Sequence, residues 1–176
     1  MQIRSHIGVS VDGYVSSVDG RPALLFLPSF ASGRSHGHPE FIGDCGAVVM
    51  GRTTFEPAVG ATNWPWPDLQ VFVLTSRPLP PGTPSHVVAC GDPADLLQLM
   101  RDADFTGDVH LVGGPKTIRA FAAIGALDRL EVVVLPLLLG DGLALSTPDT
   151  PLTPLHLQSQ RKFEDGSVEL AYSFAA

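Results

Sequence analysis

Cysteine is almost missing from this sequence: Cys45 and Cys90 are the two in 176 residues, far apart and without a Cys-x-x-Cys spacing. That excludes a disulfide framework and a zinc site of the usual ligand spacing. Basic residues are scarce as well. Eleven Lys and Arg stand against eighteen Asp and Glu, a formal net charge of -7. Such a surface is not built to neutralise a nucleic-acid backbone. A local cationic pocket for a small phosphorylated ligand is still compatible with it, so cations beside glycine turns are more informative than the total. Long apolar runs are absent too. The longest, Val132 to Leu139, is interrupted by Pro136 and far too short for a membrane-crossing helix. The opening Met1-Gln2-Ile3-Arg4-Ser5-His6-Ile7 alternates and lacks the basic-then-apolar layout of a signal peptide. A soluble, cytoplasmic protein is expected. Neither Gly-x-Gly-x-x-Gly nor Gly-x4-Gly-Lys-Ser/Thr occurs, so the Rossmann fingerprint and the Walker loop do not apply.

What is present fits one domain, residues 1–176, with a sizeable core: 44% of the residues are hydrophobic and mean hydropathy is +0.21. Residues 2–11 read as a first strand ending at Asp12-Gly13, and Tyr14 to Ser17 continues extended. Residues 21–34 hold Pro22, Pro28 and Gly33 around an apolar Leu-Leu-Phe-Leu, and read as a loop that is mobile or faces a substrate. A helix is expected from Pro39 to Asp44. Ala47 to Met50 is a uniformly apolar strand, as when both faces of a sheet are covered. Thr53 with Glu56 has the spacing of a capping box for the helix that follows. Further strands are expected at Gln70 to Thr75 and Val87 to Ala89. Asp92-Pro93 is a helix start, with Leu96, Leu97, Leu99 and Met100 on the helix. Val109 to Val112 is the next strand, residues 115–124 a helix, and Leu130 to Leu135 a strand. His156 to Phe163 and Val168 to Phe174, about Asp165-Gly166, read as a β-hairpin. Alternating strands and helices joined by short turns imply an α/β fold with a largely parallel central sheet, to which the hairpin adds an antiparallel edge.

Three polar turns each follow an apolar strand: Gly51-Arg52-Thr53-Thr54, Thr75-Ser76-Arg77 and Gly113-Gly114-Pro115-Lys116-Thr117. In open α/β sheets ligands collect beyond the carboxyl ends of the strands, so the three turns can share one rim. Two of them open helices, whose first-turn amides lack intrahelical partners and favour anions. With Arg52, Arg77 and Lys116 nearby, a dinucleotide bearing a 2′-phosphate suits the set. Taken alone, the Gly113-Gly114 turn reads equally as an anion site or as an ordinary strand-to-helix connection.

Val48 to Glu56, with its Gly-Arg-x-Thr segment, resembles the dihydrofolate reductases. Leu74-Thr75-Ser76-Arg77 resembles their adenosine-phosphate turn and Val112-Gly113-Gly114 their pyrophosphate turn. Ser10-Val11-Asp12-Gly13-Tyr14 is similar to the start of the riboflavin-biosynthesis reductase domains. The resemblance runs through Leu137 to Gly142 and is closest to the bacterial dihydrofolate-reductase-like proteins of that C-terminal reductase-domain family. It implies a three-layer dihydrofolate-reductase-like fold and an NADPH-dependent reductase of a pterin- or pyrimidine-like heterocycle, working as a homodimer. The expected cofactor residues are Gly51, Arg52, Thr53, Thr54, Thr75, Ser76, Arg77, Gly113, Gly114, Pro115, Lys116 and Thr117 around the phosphates. Gly8 and Val15 are expected near the nicotinamide. A non-catalytic nucleotide- or flavin-binding module on the same fold is the alternative.

The helix carboxylate of true dihydrofolate reductases has no counterpart in register. Counting back from Gly51 lands on Ser35, with His36, His38 and Glu40 nearby. The candidates for catalysis are therefore Asp12, His36 and Glu40. Asp12 also suits an Asx-type turn with Gly13. His36-x-His38 lacks a third ligand at a known spacing, so no metal is expected. An imidazole there has the right range for a general acid. Trp64 and Trp66, among prolines, read as stacking on a flat ring, as a packed loop or as a subunit contact. The run Val132 to Leu139 reads as core or interface, and with the closing hairpin it is the expected subunit contact.

Overall fold

The computed structural model describes residues 1–31 and 35–174. Along the chain come β1 (Ile3–Ser10), β2 (Tyr14–Ser16), a 3-10 turn (Ala23–Phe26), α1 (His38–Gly43), β3 (Cys45–Gly51) and α2 (Arg52–Phe55). Next are a second 3-10 turn (Glu56–Ala58), β4 (Gln70–Leu74), β5 (Val88–Cys90), α3 (Pro93–Asp102) and β6 (Asp108–Gly113). Then follow α4 (Pro115–Ala123), β7 (Arg129–Leu135), β8 (Leu143–Ala144), β9 (Leu155–Lys162) and β10 (Val168–Phe174). Eight strands hydrogen-bond in the order β5-β4-β3-β6-β1-β7-β10-β9, and β2 pairs with β8 alone. The pairs β4·β5, β3·β4, β3·β6 and β1·β6 are parallel; β7·β10 and β9·β10 are antiparallel. The fold is thus a mostly parallel central sheet with flanking helices and a closing antiparallel hairpin. Two compact units divide the chain: Met1–Arg4 with Asp44–Leu127, and Ser5–Gly43 with Asp128–Ala176.

In the first unit, Val48 and Met50 of β3 and Val71 and Val73 of β4 pack with Phe55 and Val87. The intervening Ala47, Val49 and Phe72 are also fully buried. Both faces of these strands are covered, which is why they read as unbroken apolar runs rather than alternating ones. Trp64 and Trp66 pack on this core, and Trp64 Nε1 donates to the Trp66 carbonyl at 2.9 Å, the packed-loop arrangement. Arg4, largely buried, places Nη1 3.3 Å from both Asp44 and Asp108, tying together the starts of β1, β3 and β6.

Helix α3 starts where its residues dictate. Asp92 Oδ1 accepts from the amides of Ala94 (2.8 Å) and Asp95 (3.1 Å), and Pro93 follows as the first helical residue. Asp92→Ala is expected to lower unfolding stability by about 1 kcal/mol in urea titrations, with the fold unchanged. The capping box expected at Thr53 and Glu56 does not form. Gly51 is the N-cap of α2 with no side-chain hydrogen bond, and Thr53 lies inside the helix. Glu56 instead pairs with Arg52 one turn back.

In the second unit, β7 contributes Leu130 and Val132 to one cluster, with Val9 and Val15, and Val133 and Leu135 to another, with Ala23. It lies between β1 and β10, an interior strand that takes the core reading of the run Val132 to Leu139; β9 is the edge, and all eight of its residues are exposed. Several expected bounds move by a residue or two. The first helix is His38–Gly43 rather than 39–44, the strand after β4 is Val88–Cys90, and the hairpin begins at Leu155. Within the expected loop 21–34, residues 23–26 form a 3-10 turn, and residues 32–34 lie outside the described residues.

Candidate active site

Strands β4, β3 and β6 are parallel neighbours, so their carboxyl ends, and the three polar turns that follow them, lie on the same side. The register aligns the ends closely: Gly51 sits opposite Leu74, and Met50 opposite Gly113. Helices α2 and α4 begin directly after Gly51 and Gly114. The Gly113–Gly114 peptide is cis.

Close approach explains Gly51, while Gly114 is in ordinary contact range. A Cβ on Gly51 would stand 2.6 Å from Thr117 Oγ1, and one on Gly114 would stand 3.9 Å from Thr54 Oγ1. The two helix starts therefore converge, each with a threonine hydroxyl facing the other's bare glycine. Thr117 is buried and Thr54 half-buried, so the hydroxyls are fixed. Lys116, next to the start of α4, is exposed, whereas Pro115 is buried.

The third turn is braced from β5. Thr75 N donates to the Cys90 carbonyl at 2.8 Å, and Thr75 Oγ1 accepts from the Arg77 amide at 3.1 Å. A Cβ on Gly91 would lie 3.1 Å from Ser76 Cα, so that residue buttresses the turn from behind. Ser76 and Arg77 are left exposed. Arg52 has a different setting. Its Nε donates to Glu56 Oε1 at 2.5 Å and its Nη1 donates to the Pro78 carbonyl, joining α2 to the segment beyond β4. Of the three cations expected at the rim, Arg77 and Lys116 reach solvent and Arg52 is engaged.

The remaining candidates lie in the second unit. A Cβ on Gly8 would meet Leu24 Cγ at 2.4 Å, so Leu24 of the first 3-10 turn covers this part of β1. Val15 is buried in the cluster with Val9, Leu130 and Val132. Asp12 accepts from Ser10 Oγ (2.6 Å), the Leu139 amide (3.1 Å) and the Gly140 amide (2.7 Å). The Ser10 hydroxyl, followed by those two amides, outweighs desolvation and holds the Asp12 carboxyl below its ordinary pKa. Asp12 is an ionised acceptor that ties the end of β1 to residues 139–140.

His36 adopts φ +56° and is buried, with Nδ1 2.8 Å from Ser35 Oγ and Nε2 2.8 Å from Asp165 Oδ2. Asp165 also accepts from Ser29 Oγ and from the Ser167 amide. Burial pushes its pKa upward, but Ser29, the Ser167 amide and His36 together drive it well below the usual carboxylate range. Both ring nitrogens of His36 are thus occupied in a buried clamp between loop and hairpin. Glu40 is exposed, its ion-pair partner Arg161 at 3.9 Å. Among the described residues no group of three or more His, Cys, Asp and Glu is arranged to hold a metal. None of their helices is long and apolar enough to cross a membrane.

A second polar cluster carries no sequence motif. His6 on β1, His38 at the start of α1, Arg161 on β9 and Glu169 on β10 meet, with Glu169 Oε2 2.9 Å from Arg161 Nη2 and 3.8 Å from His6 Nε2. The rings of His6 and His38 are 6.0 Å apart, edge to face. These residues are scattered across the sequence in no motif. The one sequence signal is polar residues breaking two β-patterned stretches, and that does not say which of them meet.

A parallel sheet with two glycine-opened helices on one rim is an α/β arrangement in which ligand sites lie beyond the carboxyl ends of the strands. Comparison makes this specific: residues 2–168 match the RibD C-terminal domain, and the chain belongs to that family. It is 26% identical over 168 residues to the uncharacterized protein YwjB of Bacillus subtilis, covering 95% of this chain and 94% of that protein. A crystal structure of a putative riboflavin biosynthesis protein from Shewanella sp. PV-4 superposes over 100% of both chains, with TM-score 0.83 and 22% identity. A deaminase/5-amino-6-(5-phosphoribosylamino)uracil reductase from Thermotoga maritima matches 99% of this chain and 56% of its own, with TM-score 0.67 and 14% identity. The chain therefore has the fold of the riboflavin-biosynthesis reductase domains.

Proposed function

We propose that this protein is an NADPH-dependent oxidoreductase that reduces a small pterin- or pyrimidine-like heterocycle by hydride transfer. The observation that carries this reading is the convergence of α2 and α4. With no Cβ on Gly51 the Thr117 hydroxyl comes close to the α2 start, and Gly114 lies across from Thr54, so two sets of helix-start amides stand side by side. That cradle suits the pyrophosphate, and the exposed Ser76-Arg77 turn suits the adenosine 2′-phosphate. Bound there, the cofactor would supply the hydride, and the chain's own part is to hold and orient it. With the cradle aligned to β3, β4 and β6, Arg77 would decide between phosphorylated and unphosphorylated dinucleotide.

Calorimetric titration tests this. Sub-millimolar binding of NADPH, weaker for NADH, is expected; no binding of either would overturn the reading. Arg77→Ala is expected to weaken NADPH about tenfold and leave NADH unchanged, the value of one guanidinium–phosphate contact.

One observation favours a second reading, a nucleotide- or flavin-binding module without catalysis. Leu24 covers Gly8 and Val15 is buried among aliphatic side chains, so the residues expected beside the nicotinamide are packed over. NADPH oxidation in the presence of any pterin, flavin precursor or quinone would exclude it. A homodimer is part of the proposal, through β9: a fully exposed edge strand carrying Leu155 and Leu157 is a template for pairing with a second copy. So is a cytoplasmic setting, which suits the free thiols of Cys45 and Cys90.

A further inference from the structure

The pair Asp-Gly occurs four times in this sequence, at residues 12–13, 19–20, 141–142 and 165–166. Glycine has no Cβ beside its nitrogen, so the amide after each aspartate is sterically open. All four pairs lie in loops of the second unit. Carboxyl and following amide are the same each time, and only the structure around them differs.

At three of the pairs the two groups are held apart. The amides of Gly13, Gly20 and Gly166 donate to the carbonyls of Ser10 (2.9 Å), Ser17 (2.9 Å) and Phe163 (3.1 Å), each three residues back. Their aspartates are engaged elsewhere. Asp12 accepts from Ser10 Oγ and the Leu139 and Gly140 amides, and Asp19 from Ser17 Oγ. Asp165 accepts from Ser29 Oγ and the Ser167 amide and pairs with His36.

Asp141-Gly142 is arranged differently. The Gly142 amide donates to the carboxylate of its own neighbour, N to Oδ1 2.7 Å. Among the described residues no other hydrogen bond or ion pair reaches Asp141, which is exposed. Oδ1 is bonded to Cγ, the carbon this nitrogen attacks in closing a five-membered ring, so nucleophile and electrophile are neighbours before any reaction. The fold holds them there. Gly142 has φ +146°, and a Cβ on it would stand 2.0 Å from the Ser16 carbonyl oxygen. On one side Asp12 holds the Gly140 amide at 2.7 Å. On the other, β8 pairs with β2, and the Leu145 amide donates to the Gly13 carbonyl at 3.0 Å.

We propose that Asp141 is a site of spontaneous covalent modification, isomerising to isoaspartate through a succinimide formed with Gly142. The Asp141 carboxyl, protonated from solvent, gives up its hydroxyl and the Gly142 amide its proton. The two leave as one water molecule while the Cγ–N bond forms. Water then adds to either carbonyl of the ring. Breaking the Cγ–N bond restores aspartate. Breaking the original peptide C–N bond leaves the main chain running through Cβ and Cγ, with a free α-carboxylate. The sequence of steps is an isomerisation that needs no reactant but water. The main chain is then one atom longer between its two anchors, so the Asp12 contact or the β2·β8 pairing must shift.

Incubating the protein for weeks at neutral pH and physiological temperature, then mapping its peptides by electron-transfer fragmentation, tests this. Isoaspartate is expected to accumulate at Asp141 at least about tenfold faster than at Asp12, Asp19 or Asp165, because only there is the nucleophile positioned. In protein kept unfolded in urea the four rates are expected to converge, since the dipeptide is the same. No isoaspartate at Asp141, or equal rates at the four positions in the folded protein, would overturn the proposal. So would an excess at Asp141 that persists in urea, because it would owe nothing to the fold. Thermal melts read the consequence. Aged wild-type protein is expected to melt below fresh protein, whereas Asp141→Glu, whose longer side chain does not close the five-membered ring, keeps its melting temperature on ageing. Equal melting of fresh and isomerised wild type would overturn the shift of the anchors.

Discussion

Gly51→Val is expected to reduce NADPH affinity about a hundredfold or more while the protein stays folded. The new Cβ would lie 2.6 Å from Thr117 Oγ1. Thr117 cannot give way easily, because it is buried in the first turn of α4. The added bulk therefore fills the space between the two helix starts, where an anion would meet the backbone amides. Losing two charge-assisted hydrogen bonds at about 1.5 kcal/mol each gives the expected factor. Calorimetry reads the affinity, and far-UV circular dichroism with a thermal melt reads the fold. Gly51→Ala is expected to show the same direction with a smaller effect. If Gly51→Val binds NADPH like the wild type, the cradle is not the pyrophosphate site. Unlike Arg77→Ala, this change should weaken NADH as well, because the pyrophosphate is common to both dinucleotides.

The second large effect concerns stability and its pH dependence. Asp165→Asn is expected to cost about 2 kcal/mol of unfolding free energy at neutral pH, the order of one buried, charge-assisted hydrogen bond. The bond at stake is the 2.8 Å contact to His36 Nε2, supported by Ser29 and the Ser167 amide. The Asp165 pKa is lower in the folded protein than in the unfolded chain, so its contribution is fully present above the unfolded value of about 3.9. It is lost as pH falls below that value toward the folded pKa. The part of the gap between wild type and Asp165→Asn that the carboxylate's charge supplies should therefore shrink as pH falls below about 3.9. Urea unfolding at a series of pH values measures it. A gap that stays constant into strong acid would show that Asp165 acts by shape rather than by charge.

Much of the three-turn rim was readable because its parts are local. Gly51-Arg52-Thr53-Thr54 and Gly113-Gly114-Pro115 each join a strand to a helix within a few residues, so spacing alone indicates a turn followed by a helix start. Asp92-Pro93 was readable for the same reason: the cap and the amides it serves lie within three residues. The capping box at Thr53 and Glu56 misled because a competing partner one turn away, Arg52, takes the glutamate. Arg52 itself shows the limit of the motif. Its residue type was right for phosphate, but its engagement with Glu56 and the Pro78 carbonyl depends on where the segment after β4 runs.

The second unit was far less legible. His36 was singled out for its chemistry, yet the carboxylate that engages it lies 129 residues away. Glu169 and Arg161 face each other only because β9 and β10 pair in one register, and His6 meets them only because β1 and α1 pack nearby. Nothing in local spacing encodes such meetings. Periodicity, glycine turns and helix caps are short-range properties, so the chain order alone settled the α/β class, most of the elements and the three turns of the rim. Which buried polar groups pair and which cations remain exposed follow from strand order and register. Those are long-range choices, made by burying apolar faces and satisfying buried charge across the whole chain.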